Sequence, residues 1–368
     1  MPVNPLFSAI QANTFTNSDQ LTSASALVSE QARPMRAVAM AADGSFAITW
    51  SSRGQDINGS AEWGAYIRFF APNGTPTSAE TKVSPNTLQN QSTTSITLLQ
   101  NGNYVVTWSD DNEATPDISL SGVHARIYQP NGTAVGGEFL INQSTDGDQY
   151  NSAIATSANG KFVVTWVSNA DPIDFENGVR ARMFHSDGTA FGSEFQVNSV
   201  IAGNQLKPSV AMADDGSFVV VWESQGQDGE GAGVYGQRYT AAGAKQGTEF
   251  LINQTTAKDQ KTASVTMAAN GSFVVTWTSD EGTTFGNEIY ARRYDASGAA
   301  IGGEFRVLNP GATSGIVGNQ RDSIVTMTDD GGFIITFTSD GTGLNDGSGS
   351  GVYARRFDAA GVAIEALS

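Results

Sequence analysis

The sequence contains no cysteine, only two histidines, and charged residues at just 15% of the chain. Without cysteine there is neither a disulfide framework nor a thiolate metal site, and His124 and His185 alone are too little imidazole for a zinc centre. Cations are scarce as well: 20 Lys and Arg against 37 Asp and Glu give a net charge of −17 over 368 residues. Such a surface opposes binding to nucleic-acid phosphates or anionic bilayers, and it favours cations as partners. No apolar run approaches the roughly 18 to 20 residues that span a bilayer, so no membrane insertion is expected. The first residues, MPVNPLFSAIQANTF, carry neither the basic start nor the apolar stretch of a Sec signal. Nucleophile elbows, Walker loops and HExxH motifs are missing too.

What the chain does have is a repeat. The segment ADDGSFVVVWESQGQDGEGAGVYGQRYTAAGAKQGTEFLIN, residues 213 to 253, has counterparts at AADGSFAITW, LQNGNYVVTW, SANGKFVVTW, AANGSFVVTW and TDDGGFIITF. Their central glycines, from Gly44 to Gly331, lie roughly 55 to 60 residues apart, a period that suits a multi-strand unit. In the copy beginning at Pro208, Ser209 to Ala213 reads as one strand and Phe218 to Trp222 as the next across an Asp-Asp-Gly turn. Val234 to Tyr239 and Glu249 to Asn253 supply two more. Phe218, Val220 and Trp222 point to one face and Val219 and Val221 to the other, so both faces are apolar and each sheet must be sandwiched between neighbours.

These observations predict an all-β, six-bladed β-propeller of four-stranded antiparallel blades. The last copy stops at AIEALS without a clear fourth strand. Ala26 to Ser29 resembles the EFLI of full copies, so an N-terminal strand there is expected to close the last blade, giving one propeller domain over 26–368 and an extension over 1–25.

The DGSFVVVW, GQDGxGxGVYGQRY and GxEFxxN pattern at 215 to 253 resembles repeats of large secreted bacterial adhesins and of proteins with haemolysin-type calcium-binding repeats. The resemblance implies a secreted or cell-surface protein. The GGxGxDxUx nonapeptides of the calcium-binding β-roll are absent, so the calcium chemistry of those proteins does not transfer by motif.

Long, dissimilar loops between second and third strands lie at one end of the ring and short, uniform turns at the other, and function is expected on the loop end. The loops are acidic: Asp56, Asn58, Asp110, Asp111, Asp171, Asp174, Asp228, Glu230, Asp280 and Asp346 form a candidate Ca²⁺ ligand set, against the plainer reading of solvated turn residues. Trp63 beside Glu62 falls outside the repeat and is a candidate ligand contact. Gln149, Gln205 and Gln260 open successive repeats, as fasteners of blade crossovers or as a sugar-binding ring of amides. The recurring Trp50, Trp108, Trp166, Trp222 and Trp277 read as core between blades, and the recurring arginines and glutamates as structural pairs.

The function expected from these features is a non-enzymatic, extracellular binding or adhesion module for a glycan or surface protein, with Ca²⁺ as candidate cofactor. A carbohydrate-active hydrolase or lyase using loop carboxylates, and a structural block of a surface layer or appendage, are the alternatives. Converging carboxylates leave no linear motif, so the first alternative stays open at the level of sequence.

Overall fold

A computed structural model of the protein describes residues 11–14, 20–21, 36–55, 62–85, 90–111, 121–169, 176–280, 286–308, 318–328, 330–340 and 350–364. It is all-β, with six antiparallel sheets following one another along the chain as the blades of a propeller. No helix among the described residues is long and apolar enough to cross a membrane. In blade four the inner strand is Gln205–Met212, followed by Phe218–Gln225, Ala232–Tyr239 and the outer Lys245–Leu251. Each strand is longer than its apolar run alone predicts, because the polar ends still pair in the ladder.

The two-faced second strand explains the stacking. Phe218, Val220 and Trp222 pack with Val163 and Val179 of blade three, whereas Val219 and Val221 pack with Phe273, Val275 and Trp277 of blade five. The repeated tryptophans are at most 2% exposed, as is Phe337 in blade six, so the ring at this position is the filler between sheets. The turn after the inner strand needs its glycine. Gly216 sits at φ +90°, and a Cβ there would collide with the Asn159 amide. One residue earlier, Asp215 Oδ1 accepts from the Ser217 hydroxyl at 2.7 Å and from the Ser217 N–H at 2.8 Å, which closes the turn and lowers the Asp215 pKa.

Neighbouring blades are latched by the repeated arginines and glutamates. Arg292 Nη1 donates to the Ile252 carbonyl of the preceding blade at 2.7 Å, and Glu304 accepts from the Gln254 N–H two residues on at 2.5 Å. Arg182 and Glu194 repeat this on Ile141 and Gln143. In blade four, where Gln237 replaces the arginine, the Tyr239 hydroxyl takes the Val197 carbonyl at 3.4 Å.

The same latch shows how the ring closes. In blade one, Arg68 Nη1 donates to the Ala12 carbonyl at 3.0 Å and Glu80 accepts from the Thr14 N–H. Ala12 and Thr14 thus offer blade one the carbonyl and N–H that Ile252 and Gln254 offer blade five. Blade six itself supplies Ala363–Ile364, paired with Arg356 and Phe357.

Gln20 and Leu21 then pair with Ser52 and Ser51, the register of Gln205 and Leu206 opposite Ser224 and Glu223. The inner strand of blade one is therefore in two pieces, Gln20–Leu21 and Val38–Met40, both paired with Phe46–Arg53. The proposed closing strand at Ala26 to Ser29 lies outside the described residues. In the sequence, ANTFTNSDQL at 12 to 21 aligns without a gap to INQSTDGDQY at 141 to 150.

Candidate active site

The inner strands surround a central channel, and in blades two to six each begins at its loop end with a buried glutamine followed by a bulge. In blade four the ladder runs Gln205 with Ser224 and Leu206 with Glu223, then resumes only at Ser209 with Val221. Lys207, in the gap, is left-handed at φ +49°, and Thr93, Asn151, Thr262 and Asp322 do the same in their blades. Non-glycine residues in this region, Thr above all, carry strain of order 1–3 kcal/mol each, and such strain concentrates at functional positions.

What fills the bulge slot differs between blades. In blade two the Thr93 hydroxyl bonds the Ser109 hydroxyl at 2.7 Å, and in blade five Thr262 bonds Thr278 at 2.9 Å. In blade four the same two positions are Lys207 and Glu223, paired at 3.3 Å with both side chains at least nine-tenths buried. Glu223 also accepts the Thr262 N–H from blade five. Burial pushes the Glu223 carboxyl above its ordinary pKa, with Lys207 and the Thr262 N–H opposing. In blade six the slot residue is Asp322, 3.6 Å from Arg321 Nε. Its pKa is raised by burial, against Arg321 and Lys207.

The Lys207 ammonium therefore acts on two carboxyl groups from different blades, both displaced toward protonation. Two carboxyls of unequal environment around one cation can divide the roles of proton donor and proton acceptor. Among the described residues no three His, Cys, Asp or Glu come together as a metal-binding group.

The residues singled out from sequence sit elsewhere. Trp63 is 5% exposed and opens the third strand of blade one opposite Arg53, so it is core and not an exposed platform. Glu62 is half-buried beside it, and its carbonyl accepts the Gly54 N–H at 2.8 Å. Gln149, Gln205 and Gln260 are buried with their amides committed. Gln205 accepts from Trp222 Nε1 at 2.9 Å and donates to the Gly203 carbonyl at 2.9 Å, while Gln149 and Gln260 accept from Asn142 and Asn253. They fasten crossovers and have no amide left for a sugar.

Of the acidic set, Asp110 is buried against Ser84 and Gln91 rather than displayed on a loop. Asp111 accepts from Asn90, Asp228 accepts from Asn253, Glu230 is exposed and Asp280 ends a strand. Asp56, Asn58, Asp171, Asp174 and Asp346 lie outside the described residues.

Glu223, Lys207 and Asp322 were passed over because attention went to residues that repeat. Their signal is the departure from the repeat: after the tryptophan, copies two, three and five continue with Ser109, Val167 and Thr278, whereas copy four continues with Glu223.

No known family matches the sequence, and no curated protein is a recognisable relative. Solved structures do share the fold. A protein of unknown function from Dyadobacter fermentans superposes with a TM-score of 0.56 at 10% identity, over 87% of this chain and 92% of its own. An α-L-arabinofuranosidase of Fusarium graminearum, solved with an iminosugar inhibitor, gives 0.53 at 16% identity over 88% and 93%. The α-L-arabinanase of Penicillium chrysogenum, solved with arabinobiose, gives 0.51 at 12% over 94% and 99%. At these identities the likeness establishes the propeller and nothing finer. The expectation of a non-enzymatic adhesion module is corrected on this finding: the two characterised neighbours named here are glycoside hydrolases, in line with the alternative of a carbohydrate-active hydrolase.

Proposed function

We propose that the chain is a carbohydrate-active hydrolase whose acid–base pair is Glu223 and Asp322, set around Lys207 at the loop end of the channel. One observation carries this reading: a slot filled by neutral hydroxyl pairs in blades two and five holds a buried ion pair in blade four, and the same slot in blade six holds a second carboxyl, Asp322, that burial raises. Glu223, the more buried, suits the proton donor to the glycosidic oxygen, and the more open Asp322 suits the group that faces water or the anomeric carbon. Lys207 sets which carboxyl holds the proton. The glycosidases that share the ring support the reaction class, while the sugar is left to experiment.

The test is hydrolysis of a panel of aryl glycosides and plant and microbial polysaccharides by the wild type, Glu223→Gln and Asp322→Asn. Turnover of at least one substrate that both variants abolish supports the reading. Turnover untouched by either variant, or none on any substrate, sinks it.

The resemblance of the repeats to those of secreted proteins supports a location outside the cell. A role for Ca²⁺ in ordering the outer loops stands on their acidic composition, and calorimetry at millimolar Ca²⁺ tests it; no heat and no thermal shift would remove it.

A further inference from the structure

The turn end of the channel holds a feature that glycoside hydrolysis at Glu223 and Asp322 does not use. Inner strands of five blades enclose a cavity of about 560 Å³, within the usual range of small-molecule sites, about 300–1,000 Å³. Val38, Met212 and Met267 supply apolar wall, Thr266 and Thr326 supply hydroxyls, and Arg36 is the one charged side chain among the described lining residues. Neither Glu223, Lys207 nor Asp322 lines it.

Arg36 stands apart from the other arginines. The other described arginines have an interacting partner, in all but Arg53 a hydrogen bond or ion pair from the side chain. The Arg36 guanidinium has none among the described residues, although the protein carries 37 acidic side chains against 20 basic ones. Its surface is open to the water of the channel. With no carboxylate beside it, this guanidinium is available to an anion that enters the cavity. The planar fork takes a carboxylate through two parallel hydrogen bonds, and flexible methionines adapt to an apolar body of varied shape.

We propose that this cavity binds a small organic anion, a carboxylate with an apolar body, whose charged group pairs with Arg36 while its chain lies along Met212, Met267 and Val38. The site is separate from the hydrolytic one and opens at the opposite end of the channel.

The experiment is calorimetric titration of the full chain with octanoate and, as the uncharged counterpart of equal length, octanol. Octanoate is expected to bind about ten- to a hundredfold more tightly, the margin of a charge-assisted pair. Arg36→Met should erase that margin with an unchanged or higher melting temperature, because an unpaired cation has been removed, and Arg36→Lys should keep part of it. No binding of octanoate, equal binding of the two ligands, or a preference that survives in Arg36→Met would each overturn the proposal. Octanoate binding with hydrolysis unaffected separates this site from the Glu223 one.

Discussion

Blades five and four make an informative pair. Their inner strands carry the same buried glutamine, the same bulge and almost the same left-handed angle, φ +53° at Thr262 and +49° at Lys207. Yet the slot holds two hydroxyls 2.9 Å apart in one blade and an ammonium 3.3 Å from a carboxylate in the other. The hydroxyl pair satisfies itself and asks nothing of its surroundings. The ion pair has been taken out of water, a costly arrangement that leaves a carboxyl tuned upward, and a repeat scaffold that already offers a neutral solution has no structural need for it. The contrast separates what every blade needs to stack from what a single blade adds.

The largest expected effect comes from making blade four like blade five. Lys207→Thr with Glu223→Thr should fold and melt as a single transition while hydrolysis falls by about 10²- to 10⁴-fold, the usual worth of a proton donor. The matching change Thr278→Ala in blade five should leave turnover within about twofold of the wild type. Steady-state kinetics on the two variants decides it, and equal losses in both blades would end the distinction.

Scaffold positions should behave in the opposite way. Trp222→Ala and Trp277→Ala, both in the core between blades, should each cost about 3–5 kcal/mol in denaturant unfolding, with no difference between the functional blade and the plain one. A tryptophan whose loss left the midpoint unchanged would show that it is not packing filler.

Acidity gives a subtler comparison. The folded Glu223 carboxyl lies above its unfolded value, so its contribution to stability is fully present below the ordinary carboxylate range and is lost as pH rises through the raised value. Thermal midpoints of the wild type should therefore fall relative to the Lys207→Thr, Glu223→Thr variant across that window, and parallel curves would argue against the shift.

The smallest effect concerns ring closure. Arg68→Met, which frees the Ala12 carbonyl, should cost about 1–3 kcal/mol, the worth of a hydrogen bond from a charged group, and Arg292→Met should cost the same. A far smaller loss in blade one would mean that the N-terminal latch contributes little.

The sequence by itself determined the blades. The Asp-Gly turn signals, the two-faced strands around Phe218 to Trp222 and the fixed place of the tryptophans are local or periodic, and sheets apolar on both faces have few ways to bury themselves other than radial stacking. It also contained the closing latch in ANTFTNSDQL, legible once an Asn and a Gln are aligned instead of an apolar tetrapeptide. What only the tertiary structure decided is which chemistry meets at the channel. Glu223 touches Lys207 in its own blade and the Thr262 N–H in the next, and Lys207 in turn acts on Asp322 in blade six. These residues are far apart along the chain and share no motif. They converge because the ring brings the same bulge of successive blades to one axis, and whether a carboxyl there is raised depends on burial that no linear pattern records.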